Sequence, residues 1–127
     1  MILIFGGAYQ GKLKYAQERF GAAEDDIFYC AEEDTAPPIG AKIICGLEKW
    51  LLALVKSDID IENVIRRLIA DCGGAVVICC DITCGVVPVD PVMRRWREAV
   101  GRALSMLSNA SDEVIRMFCG IPARLKG

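Results

Sequence analysis

The residues of this chain whose types and spacing could do chemistry lie near its start, where a short apolar run meets a glycine-rich stretch. Gly6, Gly11 and Lys12 match the phosphate-binding pattern G-x-x-x-x-G-K-[ST] in every fixed position except the last, where Leu13 replaces the hydroxyl residue. Glycines let successive backbone N–H groups point into one concavity, the following helix adds partial positive charge, and lysine reaches the outer phosphates. The pattern predicts a nucleotide site of eight consecutive residues: Gly6, Gly7, Ala8, Tyr9, Gln10, Gly11, Lys12 and Leu13.

The hydroxyl missing at Leu13 bears on catalysis more than on binding. Backbone N–H groups and Lys12 still favour phosphate, whereas phosphoryl transfer relies on positioning and on the magnesium ion that the hydroxyl normally holds. Asp81, at the end of a long apolar run, is the candidate acidic partner, so Lys12 and Asp81 are the candidate catalytic residues. The alternatives are a purely structural strand–helix turn at the loop and a loop-capping role for Asp81.

Cysteine and histidine usage restricts the remaining chemistry. Seven cysteines, most of them in apolar runs and none at a disulfide-framework spacing, indicate free thiols in a reducing cytoplasm. Cys79, Cys80 and Cys84 could form a thiolate cluster, but adjacent strand residues point to opposite faces. Buried small side chains are therefore favoured there, and no metal site is predicted. The absence of histidine excludes Ser-His-Asp and Cys-His catalysis and histidine metal ligands.

Charge and hydropathy exclude two classes of partner. The formal net charge of −2 leaves no basic field for general nucleic-acid binding. No apolar run approaches the roughly 20 residues of a membrane span. Arg94, Arg95 and Arg97 could grip phosphates at the mouth of a sheet, and a solvated helix face or a subunit contact is the alternative. Trp50 and Trp96 lie on apolar stripes typical of a core or an interface.

The order of apolar patterns predicts the elements that position these residues. At 127 residues the chain is predicted to be one domain, 1–127, with strand-like runs alternating with helical ones. This alternation predicts an α/β fold with a mainly parallel sheet of about five strands. Ligands of such sheets bind beyond the strand C-termini, where the loop and Asp81 are expected. The predicted strands are 2–5, 26–30, 41–45, 75–80 and 112–119, the last one broken at 120–122; the predicted helices are 12–20, 47–56, one capped by Asp58 or Asp60, and one starting at Asp90-Pro91.

Three stretches, in order, resemble motifs of the adenosylcobinamide kinase/adenosylcobinamide-phosphate guanylyltransferase family of cobalamin biosynthesis. Residues 5–16 resemble F-G-G-x-x-S-G-K-S-x-x-A, and residues 81–88 resemble E-V-G-x-G-x-V-P. Residues 94–122 contain counterparts of R-x-[FW]-R-[DE]-x-x-G, A-D-E-V and G-[LI]-P. The resemblance implies a P-loop-type three-layer sandwich, GTP or ATP as nucleotide, and a trimer. It also implies transfer of the γ-phosphate to an alcohol such as that of adenosylcobinamide, a corrinoid.

The chain departs from the family pattern at positions that the resemblance marks as catalytic. Leu13 replaces the hydroxyl ligand, Cys45 stands where an aspartate ends the family's third strand, and Asp81 replaces the loop glutamate. The family's Asn-Gln pair falls on Leu104 and Ser105, and no histidine is present to be guanylylated. These departures imply that the guanylyltransferase step is absent and that the kinase step has lost its magnesium ligands. The expectation is a nucleotide-binding relative of the family, and the alternative is a non-catalytic binding or regulatory subunit.

Overall fold

The chain folds around a mixed β-sheet, seen in a computed structural model that describes residues 1–82 and 89–127. Within these residues the sheet has six strands in the order β2-β3-β4-β1-β5-β6. Strands β1 to β5 pair in parallel, and β6 runs antiparallel to β5. Their bounds are Ile2–Gly6 (β1), Ile27–Tyr29 (β2), Ile43–Cys45 (β3), Val76–Cys80 (β4), Glu113–Phe118 (β5) and Ile121–Lys126 (β6).

Two helices begin after aspartate caps that the sequence predicted, Asp60 and Asp90. The side chain of Asp60 accepts the N–H of Glu62, and the side chain of Asp90 accepts the N–H of Val92 at 2.8 Å. The part of the chain described contains no helix long and apolar enough to cross a membrane. The helices are α1 (Lys12–Phe20), α2 (Leu47–Lys56), α3 (Ile61–Asp71) and α4 (Pro91–Ala110), with one 3-10 turn at Glu24–Asp26.

Helices cover both faces of the sheet, which gives the three layers that the family resemblance implied. Helix α1 packs on one face against a cluster that includes Ile4, Ala16 and Ile78. Helices α2, α3 and α4 pack on the other face against a larger cluster that includes Leu3 and Val77. Strand β4 is buried on both faces, as its continuous apolar sequence predicted.

Strand β6 corrects the predicted end of the chain. Residues 120–122 were expected to break the last strand, but the chain turns at Cys119 and Gly120 and returns along β5. Both turn residues have positive φ, 51° and 76°, as a two-residue hairpin requires. Pro122 is compatible with a strand here because β6 is the outer edge of the sheet, where proline is tolerated.

The phosphate-loop pattern lies at the point in the parallel part of the sheet where the connections from neighbouring strands leave to opposite sides. Strands β1 and β4 are neighbours, with Gly6 opposite Cys80, but the helices that follow them cover opposite faces. Such a point opens a crevice beyond the strand C-termini. The backbone N–H of Asp81 donates to the carbonyl oxygen of Gly6 at 2.8 Å, so the loop and Asp81 both begin at this crevice.

Replacing Gly6 by alanine is expected to destabilise the fold. A Cβ at position 6 would lie 2.4 Å from the carbonyl oxygen of Met117 on β5, so one strand would have to shift. We expect a loss of about 2–3 kcal/mol in the free energy of unfolding, measured by urea denaturation. Gly74→Ala is the control because nothing lies within 4 Å of its added Cβ. Equal stability of the two variants would contradict the proposed close approach.

Candidate functional site

The loop 6–12 connects β1 to α1 through two backbone conformations that favour glycine. Gly6 leaves the sheet with φ 155°, and Gly11 precedes the helix in the left-handed region with φ 84°. Between them Tyr9 has φ 60° and a fully exposed side chain. A tyrosine in the left-handed region is uncommon, and such conformations cluster at ligand-binding sites.

The N-terminus of α1 is left without a side-chain cap. Among the described residues no side chain accepts a hydrogen bond at Gly11, and the first turn of α1 contains no acidic residue. Helix α2 also begins at an uncapped glycine but has Glu48 in its first turn, and α3 and α4 are capped by Asp60 and Asp90. The first N–H groups of α1 therefore face the crevice as a ready site for an anion.

Lys12 places a positive charge directly over the loop. Its Nζ donates to the carbonyl oxygen of Gly7 at 2.6 Å and lies 3.7 Å from the Sγ of Cys80. The ammonium group thus sits between the loop and the end of β4. A lysine at this position can neutralise phosphate oxygens held by the backbone N–H groups.

The β5–β6 hairpin fixes the loop from the other side. The carbonyl oxygen of Gln10 accepts the N–H of Gly120 at 3.2 Å. The side-chain oxygen of Gln10 accepts the N–H of Cys119. Sequence analysis missed this contact because the hairpin itself was not predicted. Gly120 and Pro122 signalled the end of the strand, but not that the chain turns back along it.

Asp81 lies at the loop, as predicted, but its described link is through the backbone. Its N–H donates to the carbonyl oxygen of Gly6 and so extends the pairing of β4 with β1. Its side chain is partly exposed at the crevice. Residues 83–88 complete the second stretch that resembles the family motifs, and they lie outside the described residues. The structure therefore brings Asp81 next to the loop, and its catalytic role stays a prediction.

Glu48 is a second carboxylate at this edge, and sequence analysis missed it. It lies in the first turn of α2, and its Oε1 accepts the backbone N–H of Cys80 at 2.9 Å. The Nε1 of Trp96, on α4, donates to the carbonyl oxygen of Glu48 at 2.7 Å. The sequence signal was weak because only Trp50 anchored this region to the family pattern.

The thiols at this edge divide between the core and the crevice. Cys79 is buried among the α2–α4 side chains, and burial raises the pKa of its thiol well above the ordinary value. Cys80 is partly exposed on the Lys12 side, so the two point to opposite faces as predicted. Burial raises the pKa of Cys80, and Lys12 opposes that shift. Among the described residues no metal-binding group forms; Cys84 lies outside them.

Two arginines of the predicted cluster, Arg94 and Arg95, contact other protein groups. Arg95 pairs with Asp58 at 2.9 Å, at the link between α2 and α3. Arg94 donates to the carbonyl oxygen of Val89 at 3.1 Å. These contacts fit a solvated helix face. Of the tryptophans, Trp50 is 2% exposed and Trp96 packs against the same core cluster, so both are core residues.

A cavity of about 750 Å³ lies away from the loop, between α2, α3 and the segment that connects β2 to β3. Its walls include Pro37, Trp50 and Leu54, with Arg67 and Asp71 among its polar residues. No residue of 6–13 lines it. Volume alone would favour this cavity, but the oriented N–H groups and Lys12 lie at the crevice, which is therefore the candidate phosphate site.

Comparison with known proteins identifies the family. The family model for cobinamide kinase/cobinamide phosphate guanyltransferase matches residues 41–125. The chain belongs to this family. It is also 32% identical over 83 residues to the bifunctional adenosylcobalamin biosynthesis protein of Salmonella typhimurium, an alignment that covers 62% of this chain and 45% of that protein. The family match begins after the phosphate loop, so the case for the loop depends on its own geometry.

Two positions at which the resemblance implies magnesium ligands supply no oxygen in this chain. Leu13 packs against the cluster beneath α1, and Cys45 packs against the same cluster. Magnesium requires oxygen ligands, and neither an aliphatic side chain nor a thiol supplies one. Leu13 and Cys45, at the two positions where the family resemblance implies ligands, are thus part of the hydrophobic packing.

Alkylation of Cys80 is expected to slow when a nucleotide binds. Its Sγ lies beside Lys12, so phosphates bound at the loop would cover it. At ten times the dissociation constant, GTP or ATP should lower the iodoacetamide rate at Cys80 by about tenfold, measured by peptide mass mapping. Cys72, the last residue of the α3 capping turn, is the control. Its thiol is buried and should react slowly, at the same rate with and without nucleotide. Equal rates at Cys80 with and without nucleotide would place the phosphates elsewhere.

Proposed function

We propose that this chain binds the phosphates of GTP or ATP at residues Gly6 to Leu13 and serves cobalamin biosynthesis as a divergent member of its family. The observation that carries this proposal is the uncapped N-terminus of α1 with Lys12 folded over the loop. Helices α3 and α4 carry aspartate caps, and α2 has an acidic residue, Glu48, in its first turn. Helix α1 has neither and carries Lys12 over the loop. That combination suits a polyanion at the crevice.

The guanylyltransferase step of the family is proposed to be absent. The chain contains no histidine, so it has no residue that could carry a guanylylated imidazole. The segment 30–42 between β2 and β3 also contains no helix, and a helix there would be needed to carry such a residue. Both observations support the loss of this half-reaction.

The chemistry that remains is proposed as transfer of a γ-phosphate to an alcohol of a corrinoid such as adenosylcobinamide. Lys12 would neutralise the transferred phosphate, and binding would orient it. A second candidate, a non-catalytic binding or regulatory subunit, is favoured by the packing of Leu13 and Cys45 where magnesium ligands would be needed. The two candidates share the phosphate loop and differ in turnover.

We also propose a cytoplasmic homo-oligomer, a trimer by analogy with the family. The free thiols suit a reducing compartment. The β5–β6 hairpin exposes Phe118, Ile121 and Leu125 by 60% or more, and such a group of apolar side chains is typical of an interface.

Lys12→Ala should weaken nucleotide binding without loss of structure. Removing a charge-assisted contact to phosphate is expected to raise the dissociation constant for GTP or ATP at least about tenfold, measured by isothermal titration calorimetry. Lys14→Ala is the matched control, since Lys14 is an exposed lysine on the same helix. A wild-type chain that binds neither nucleotide at millimolar concentration would contradict the proposal.

The same titrations with and without magnesium test the lost ligand. Wild-type binding should be nearly independent of magnesium because Leu13 offers no oxygen. Leu13→Ser restores a hydroxyl and should make binding stronger when magnesium is present. Strong magnesium dependence in the wild type would show that other residues hold the ion.

A further inference from the structure

Glu48 and Lys12 approach the same residue at the crevice from two sides. The Oε1 of Glu48 accepts the backbone N–H of Cys80 at 2.9 Å. The Nζ of Lys12 lies 3.7 Å from the Sγ of Cys80. A carboxylate and an ammonium group therefore both contact Cys80, at the crevice where phosphates would enter the loop.

Three contacts position Glu48, two through its backbone and one through its carboxylate. Gly46, in the left-handed region with φ 80°, starts the turn into α2. The end of β4 binds the side chain of Glu48, and Trp96 on α4 binds its carbonyl oxygen. A side chain fixed by its neighbours in this way is suited to a reaction that depends on orientation.

The N–H of Cys80 needs a hydrogen-bond acceptor, but this need does not explain why the acceptor at residue 48 is a charged side chain. Strand β3 ends at Cys45, opposite Ile78, so the N–H of Cys80 extends beyond the last residue of that strand. A neutral amide oxygen could accept it equally well. Among the described residues Glu48 forms no ion pair, and its side chain makes this one hydrogen bond. A carboxylate that no cation neutralises among the described residues, beside the proposed phosphate site, is available to accept a proton.

We propose that Glu48 accepts the proton of the attacking hydroxyl group in phosphoryl transfer, a role that rests on the proposed function. The acceptor oxygen forms a bond to the γ-phosphorus, and the bond from that phosphorus to the β–γ bridging oxygen breaks. The nucleoside diphosphate leaves with the electron pair, and the hydroxyl proton passes to the Glu48 carboxylate. Lys12, on the other side of Cys80, neutralises the phosphate oxygens.

The test is Glu48→Gln, which keeps an oxygen for the N–H of Cys80 but cannot accept a proton at neutral pH. Transfer of labelled γ-phosphate from GTP or ATP to cobinamide should fall by about 100-fold or more, the usual range for losing a general base. Nucleotide affinity should stay within about threefold, because the loss falls on the chemical step and not on binding. Glu62→Gln, on the exposed side of α3, is the control and should match the wild type.

Each other outcome of this experiment overturns the assignment of Glu48. Equal transfer rates for Glu48→Gln and the wild type would do so, as would a loss of transfer confined to Asp81→Asn. If the wild type binds nucleotide but transfers no phosphate to cobinamide, Glu48 has no proton to accept and the binding function alone remains. If no nucleotide binds, the proposed function fails as well, and calorimetry distinguishes the two failures.

Discussion

The site depends on the close approach of β1 to β5 at Gly6. Because Gly6 has no Cβ, its backbone can lie against the carbonyl of Met117, and the loop leaves the sheet beside the end of β5. That position lets Gln10 bind the turn at Cys119 and Gly120. On its other side β1 pairs with β4, which brings Cys80 and Asp81 to the loop. The first glycine of the phosphate pattern is thus required by strand packing.

Much of the fold could be predicted because local signals agreed with the final packing. Helix α1 ends at Gly21 in the left-handed region, and α4 begins at Asp90 with proline in its first turn, as their sequences indicated. The continuous apolar run of β4 identified a strand buried on both faces. The order of strand, glycine-rich turn and helix over residues 2–20 was predicted for the same reason, since all three signals occur in one short stretch. Phosphate binding by this turn stays a prediction.

The features that sequence did not reveal depend on contacts between distant residues. Strand β6 is exposed at every residue, so it lacks the apolar alternation by which strands are recognised. Glu48 is separated by 32 residues from Cys80 and by 48 from Trp96, and no local pattern links them. The family resemblance placed an aspartate at the position that Cys45 occupies in this chain. Only the fold shows that a carboxylate, Glu48, lies at the same edge of the sheet.

The central claim is that phosphates bind to the backbone N–H groups of the loop and to Lys12. Amide resonances of a nitrogen-15-labelled chain, followed by NMR during titration with GTP or ATP, test it most directly. We predict that the largest shifts fall on residues 7 to 13, with smaller ones at the hairpin turn that holds Gln10. Shifts confined to residues around the cavity between α2 and α3, with none in the loop, would contradict it.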